Sequence, residues 1–248
     1  MKPLLLFDMD GTLIILKHKP KYNGLVNHHT SYLSIKVQMK QVAVENGVPA
    51  DLVMGLDRMA LIWNAVRKYS EENKTPEEVE ELMRMINAPF MVEERAEHDV
   101  SVLLPDTITG LQSLKDEGYE MGLVTTASRE SYDRLSNSDE YEKFGSFFPQ
   151  SITRDDVNYI KPDPEPINRM KKLCDREDVV YIGDSDHDGL AANAAGCKFI
   201  LINTREYDEE TIDSFSPDRV ISKLTELPGL LKRLTYNPCV AQDDPQTD

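Results

Sequence analysis

The sequence predicts an α/β fold, a Rossmann-like parallel sheet core with helices on both faces, interrupted by an inserted α-helical block. Three observations predict it. Short continuous apolar runs such as Leu4–Phe7 and Val179–Ile182 read as strands buried on both faces. After about residue 100 such runs alternate with helical stretches, the pattern of a parallel sheet covered by crossover helices. Between about residues 15 and 99 apolar residues instead recur at three- and four-residue spacing, which is helical throughout.

Each element follows in order. The run from Pro3 to Phe7 closes at Asp8, and Gly11 comes too soon for a helix, so it is a central strand. Helices are expected at 31–46, 51–69 and 75–86, separated by Gly47-Val48-Pro49 and Lys74-Thr75-Pro76. A helix from near Pro105 ends at Gly118, a strand covers Tyr119 to Thr125, and another helix starts near Ser128. Pro164 and Pro166 suit the first turn of a helix ending near Cys174, where their missing N–H groups would be unpaired in any case. A strand at Val179 to Ile182, a helix from Asp186 to Ala195 and a strand at Lys198 to Ile202 complete the alternation. The expected division is a core of residues 1–14 and 100–235, an insertion at 15–99, and a disordered tail at 236–248 with almost nothing to bury.

Composition narrows the function. Of 248 residues, 40% are apolar, enough to offset chain entropy in a folded globule. The 44 acidic residues against 28 Lys and Arg give a net charge of −16, which would repel a phosphate backbone and argues against nucleic acid. No apolar run reaches the roughly 18 residues of a membrane span, and the opening run is too short for a signal peptide, so no membrane partner and a cytoplasmic location are expected. Cys174, Cys197 and Cys239 are odd in number and far apart; they read as reduced thiols.

The chemistry concentrates at strand ends. In an open α/β sheet ligands bind beyond the carboxyl ends of the strands, and Asp8-Met9-Asp10-Gly11-Thr12 sits at such an end. Its two acids can divide the work of nucleophile and general acid/base; an ordinary turn with solvated acids is the alternative. A second cluster, Gly183-Asp184-Ser185-Asp186-His187-Asp188-Gly189, follows another strand. Asp184, Asp186, Asp188 and Gly189 imitate a calcium loop, but Ala195 stands where its bidentate Glu is required, and the preceding segment is a strand. Oxygen ligands without His or Cys favour magnesium, with Asp184 the preferred ligand. Lys161, held extended by Pro162, could neutralise a phosphoryl group, and the Thr125 hydroxyl closes a strand on the same predicted edge. A surface lysine and an ordinary strand-end threonine are the alternatives for these two.

Together, DMDGT at 8–12, Thr125, Lys161 in KPDPEP and GDSDHD at 183–188 resemble, in order, the four motifs of the haloacid dehalogenase superfamily, and within it the capped phosphatases such as phosphoglycolate phosphatases. The resemblance implies that Asp8 attacks phosphorus to form an aspartyl-phosphate, while Asp10 protonates the leaving oxygen and then activates water. It implies Mg2+ held by the carboxylates of Asp8 and Asp184 and the main-chain carbonyl of Asp10, with Asp188 in support, while Thr12 fits a phosphatase better than a phosphomutase. Thr125 and Lys161 would bind the phosphoryl oxygens, and the helical block would be the α-helical cap. The expected activity is magnesium-dependent hydrolysis of a small phosphorylated metabolite. The alternatives are a phosphomutase of sugar phosphates and a non-catalytic phosphoryl-binding protein on the same fold.

One charge asymmetry stands outside those motifs. Between Asp10 and Glu45 there is no acidic residue, yet Lys17, Lys19, Lys21, Lys36 and Lys40 lie there with His18, His28 and His29. Lys36 and Lys40, four residues apart, share a helix face, with His29 seven residues before Lys36. These three are the candidate cap contacts for a second anionic group on the substrate.

Overall fold

The computed structural model describes residues 2–16, 28–98, 101–137 and 143–236. Lys17, His18, Lys19, Lys21, Cys239 and the tail from 237 onward lie outside the described residues, as do the side chains of His28 and His29.

Six strands form one parallel sheet: β1 (Leu4–Phe7), β4 (Met121–Val124), β5 (Gln150–Ile152), β6 (Val179–Gly183), β7 (Lys198–Ile202) and β8 (Arg219–Ile221), in the order β5-β4-β1-β6-β7-β8. The apolar runs are continuous because both faces are covered. Leu5, Phe7, Leu123, Val180, Ile182, Ile200 and Ile202 face one cluster, while Leu4, Leu6, Val124, Val179, Tyr181, Phe199 and Leu201 face the other. The chain first builds outward from β1 through β4 to β5 and then returns to β6 on the other side of β1. That reversal opens a crevice beyond the carboxyl ends of β1 and β6, the place where such sheets bind ligands.

Packed around the sheet are α5 (Thr107–Asp116), α6 (Arg129–Ser136), α7 (Glu165–Cys174), α8 (Asp186–Ala194), α9 (Glu209–Phe215) and α10 (Leu227–Tyr236). Pro164 and Pro166 flank the first turn of α7 as expected, and α10 carries helix to Tyr236, the first residue of the expected tail. Short β5 and β8, with polar Gln150, Ser151 and Arg219, had no apolar run to announce them.

The insertion is an α-helical cap of α1 (His28–Glu45), α2 (Ala50–Val53), α3 (Met59–Asn73) and α4 (Pro76–His98). Three boundaries differ from expectation. The helix expected over 51–69 is split, since the chain leaves α2 and resumes at Met59. α4 runs on through Pro89, which forfeits one helical hydrogen bond, and reaches the buried Glu94. Ile15 and Leu16 are not helical: β2 (Ile14–Leu16) pairs antiparallel with β3 (Ser101–Leu103), a ribbon that leads the chain into the cap and back. The cap has its own core of Ile35, Met39, Ile62, Trp63, Val66, Leu82 and Ile86, and Ile160 from the sheet side joins it.

Candidate active site

Asp8 follows β1 directly, and its N–H still donates to Ile182 O at 2.9 Å, so the β1–β6 ladder sets its position. The chain then turns sharply: Leu13 and Ile14 N–H both donate to Met9 O, at 2.9 and 3.1 Å, and Gly11 has φ +86°. Only glycine fits there, because a Cβ would lie 2.2 Å from Asp184 Oδ2. Asp184 follows β6, and Asp188 sits in the first turn of α8. Asp188 Oδ2 accepts from Ser185 N–H at 3.1 Å and from its hydroxyl at 2.6 Å, a reciprocal cap that aims the other oxygen inward.

Lys161 ties these acids together. Its ammonium donates to Asp8 Oδ1 at 2.6 Å, to Asp188 Oδ1 at 2.6 Å and to the Tyr181 hydroxyl at 2.7 Å, and only 3% of the side chain is exposed. Tyr181 in turn donates to Val124 O at 3.0 Å. Across the crevice Arg205, in the loop after β7, pairs through Nε with Asp184 Oδ2. Thr125 is buried at the end of β4, where its hydroxyl accepts from Ala127 N–H at 3.0 Å. Thr12 is fully buried with its hydroxyl unpaired. Asp10, two residues beyond Asp8, is exposed and bridges to Ile14 through its backbone.

Three buried carboxylates therefore face two cations, and one negative charge is left over. Burial pushes the Lys161 ammonium down, but Asp188 and Asp8 outweigh it and hold it well above the usual lysine range. Burial also opposes ionisation of Asp188, yet Lys161 and the Ser185 hydrogen bonds hold that carboxyl below its ordinary value. Asp184 is lifted by burial to about 6 against the pull of Arg205. Asp8 is raised well above its ordinary value, by burial first and by Asp188 and Asp184 next, with Lys161 opposing. Asp8 thus has no cation to itself.

Oxygen atoms of Asp8, Asp184 and Asp188 all lie within 4.8 Å of one another, so these three could hold a metal ion. The expected set of Asp8, Asp10 and Asp184 shares two members with it. An all-oxygen site with surplus negative charge, roofed closely by Gly11, fits a hard divalent cation such as magnesium.

A family model described as haloacid dehalogenase-like hydrolase matches residues 5–202. The chain belongs to the haloacid dehalogenase-like hydrolases. Among curated relatives, pyrophosphatase PpaX of Bacillus mycoides is 32% identical over 129 residues, 50% of this chain and 57% of that protein. The PpaX of Bacillus velezensis is 33% identical over 133 residues, 52% of this chain and 60% of that protein. The chain spans about half the length of the curated relatives it matches. Among solved structures, a hydrolase from Pseudomonas syringae aligns with a TM-score of 0.57 at 18% identity, over 94% of this chain and 99% of that one. A predicted phosphoglycolate phosphatase from Haemophilus somnus aligns at 0.53 and 19%, over 92% and 97%. At these identities the likeness is one of fold.

In this haloacid dehalogenase-like chain the cap residues behave differently from the core motifs. Lys36 and Lys40 share a face of α1, and each ammonium donates to a main-chain carbonyl of the cap. Lys36 donates to Asp57 O at 2.7 Å and Lys40 to Met54 O at 2.9 Å, so both hold the loop between α2 and α3. Each of these bonds uses one of the three N–H donors of its ammonium. A cap cation that reaches a motif loop of the core is Arg58, at the end of that loop, which pairs with Asp186 at 2.5 Å. Sequence reasoning missed Arg58, Tyr181 and Arg205. Of these, Arg205 alone carried a signal, its place just after a strand of the same sheet.

Proposed function

We propose that this chain is a magnesium-dependent phosphatase of a small phosphorylated metabolite, working through an aspartyl-phosphate. The observation that carries the reading is the buried Asp8–Lys161–Asp188 constellation beside Asp184 at the sheet's reversal point. Asp8 Oδ attacks phosphorus as the bond to the leaving oxygen breaks, and Asp10, more exposed than Asp8, gives that oxygen a proton. Asp10 then takes a proton from the water that attacks the phosphoryl group, and the Asp8 carboxylate is released. Lys161 and the Thr125 hydroxyl bind the phosphoryl oxygens, and Thr12 and Asp188 hold the loops in place. Magnesium, held by the carboxylates of Asp8 and Asp184 with the Asp10 carbonyl and Asp188 in support, would supply positive charge against the phosphoryl oxygens. Since phosphate monoesters hydrolyse so slowly unaided that enzymes accelerate the reaction by up to about 10²¹-fold, such charge placement must supply most of the effect.

For the substrate we favour a phosphoester or anhydride with a second anionic group. The names of the relatives point to pyrophosphate and phosphoglycolate, which both carry one, and Arg58 of the cap reaches the GDSDHD loop at Asp186. Phosphate release from pyrophosphate, 2-phosphoglycolate, glucose 1-phosphate and an aryl phosphate, with and without magnesium, tests the reading. Magnesium-dependent release, greatest for the first two, is expected. Isomerisation of glucose 1-phosphate faster than release would favour a mutase, and no turnover of any of them would favour a binding protein.

A further inference from the structure

We propose that Asn64, on cap helix α3, is the positioning residue for Lys161, so that the phosphoryl-binding lysine of the core is set by the cap. The segment before Lys161 has no strand to lie against, and most of its backbone groups are taken by side chains, although Asp163 N–H also donates to Ile160 O at 3.0 Å. Asn158 and Tyr159 N–H donate to the two carboxylate oxygens of Glu165, at 3.0 and 2.9 Å. Ile160 is gripped from the cap: Asn64 Nδ2 donates to Ile160 O at 2.7 Å, and Asn64 Oδ1 accepts from Ile160 N–H at 2.9 Å. One primary amide thus pairs with both main-chain groups of a single residue, as a neighbouring strand would, and fixes the orientation of the peptide that enters Lys161. The Ile160 side chain, 1% exposed, packs in the cap's own core.

Lys161 needs such an anchor. Its flexible four-carbon stem delivers one ammonium to three acceptors, all at 2.6–2.7 Å, so the stem cannot follow a shift of the backbone without lengthening some of those contacts. Trp63 and Arg67 reach Asn158 from the same helix, at 3.1 and 2.8 Å, and Tyr159 donates to Glu71 at 2.6 Å. Those bonds tie the cap to the loop further upstream; among the described cap side chains, Asn64 is the one that hydrogen-bonds the main chain of the residue next to Lys161.

The inference rests on the phosphoryl-binding role proposed for Lys161, and a cycle of variants separates the two. The probe is inorganic phosphate, titrated into the magnesium-loaded full chain and read by thermal shift. Asn64→Ala is expected to weaken phosphate binding at least tenfold. Asn64→Asp, which keeps the acceptor for Ile160 N–H, should lose less, and Tyr159→Phe, which cuts another tie between cap and loop, should change affinity less than twofold. Lys161→Met should weaken binding at least as much as Asn64→Ala, and adding Asn64→Ala to it should cost nothing more, because the amide acts through the lysine. If Lys161→Met fails to fold, Lys161→Arg replaces it in the cycle. Unchanged affinity in Asn64→Ala, losses that multiply in the double variant, or an equal loss in Tyr159→Phe would each overturn the positioning role. Unchanged affinity in the Lys161 variant would overturn the role of Lys161 itself, and the Asn64 inference with it.

Discussion

Two buried charge clusters among the described residues are built on opposite plans. Arg154, fully buried, donates to Glu94 at 2.5 Å, to Thr126 O at 2.7 Å and to Asn87 Oδ1 at 3.1 Å, with its guanidinium 4.1 Å from the Phe90 ring centroid. Glu94 also accepts from Ser128 N–H and the Ser131 hydroxyl, so one cation meets one anion and the bonding is nearly complete. Burial favours the neutral form of Glu94, but Arg154 overrides it and keeps the carboxyl below its ordinary value. In the crevice, by contrast, Asp8 is left without a cation of its own, and its carboxyl is raised. A balanced pair between α4 and the loop after β5 fastens the cap; an unbalanced cluster lies at the sheet's reversal point. Both are deeply buried, and the difference lies in the charge count.

The largest effect should come from removing the surplus charge. Asp8→Asn is nearly isosteric and leaves no nucleophile, so turnover should fall at least a hundredfold. The same change relieves repulsion from Asp184 and Asp188, so without magnesium the variant should melt higher than wild type. A variant that loses turnover and melts lower in EDTA would mean that Lys161 needs the Asp8 charge, and the contrast between the clusters would collapse.

Next in size is the balanced pair. Arg154→Met leaves Glu94 buried and unpaired, a loss of about 3–5 kcal/mol for such pairs, and Tm should drop by roughly 6–20 °C. Phosphate affinity of the folded fraction should hold, which calorimetry beside phosphate titration would show. A small drop in Tm with a large loss of affinity would make Arg154 part of the site.

How legible these features were in the sequence follows from the range of each interaction. The sheet could be read because burial on both faces writes strands as unbroken apolar runs, and Asp8, Asp184 and Thr125 because each closes such a run. Lys161 was placed by its neighbouring prolines and by motif order. The Glu94–Arg154 pair was invisible: its members are 60 residues apart in the chain, and nothing local distinguishes them from surface charges. The same holds for Asn64 and Ile160, 96 residues apart. The β2–β3 ribbon escaped because three-residue strands are too short to show a period. Lys36 and Lys40 were placed on the right face, but only the structure shows carbonyls there.

The pH dependence of stability should follow the crevice and not the fastening. Asp184 has its folded value raised to about 6 from 3.8. Below pH 3.8 both states are protonated and the group contributes nothing. Between the two values the unfolded chain loses its proton first, so the folded state is progressively disfavoured as pH rises. Above about 6 the full cost applies, of order 2–3 kcal/mol. In EDTA, Asp184→Asn should therefore gain stability over wild type at pH 7.5 and gain little at pH 4, as Tm against pH would show. Magnesium should raise the wild-type Tm more at pH 7.5 than at pH 5. A magnesium effect that does not vary with pH would place the ion away from Asp184.

The smallest effect separates the cap's cations. Arg58 and Asp186 are 46% and 28% exposed, so water screens their pairing and stability should barely change in Arg58→Ala. The loop that carries Arg58 is held by Lys36 and Lys40 through the carbonyls of Asp57 and Met54. If Arg58 meets a second anionic group, Arg58→Ala should raise KM for pyrophosphate or phosphoglycolate about fivefold and leave KM for an aryl phosphate without a second anionic group nearly unchanged. Lys36→Met and Lys40→Met act one step further back, by loosening the loop, and should raise the same KM about twofold without changing kcat. Added salt should reproduce the Arg58 effect, since screening weakens an exposed ion's attraction but leaves hydrogen bonds to carbonyls in place. Equal KM changes for substrates with and without a second anionic group would show that the loop shapes the site without reading charge. A larger effect at Lys36 than at Arg58 would show that the basic face of α1 meets the substrate directly.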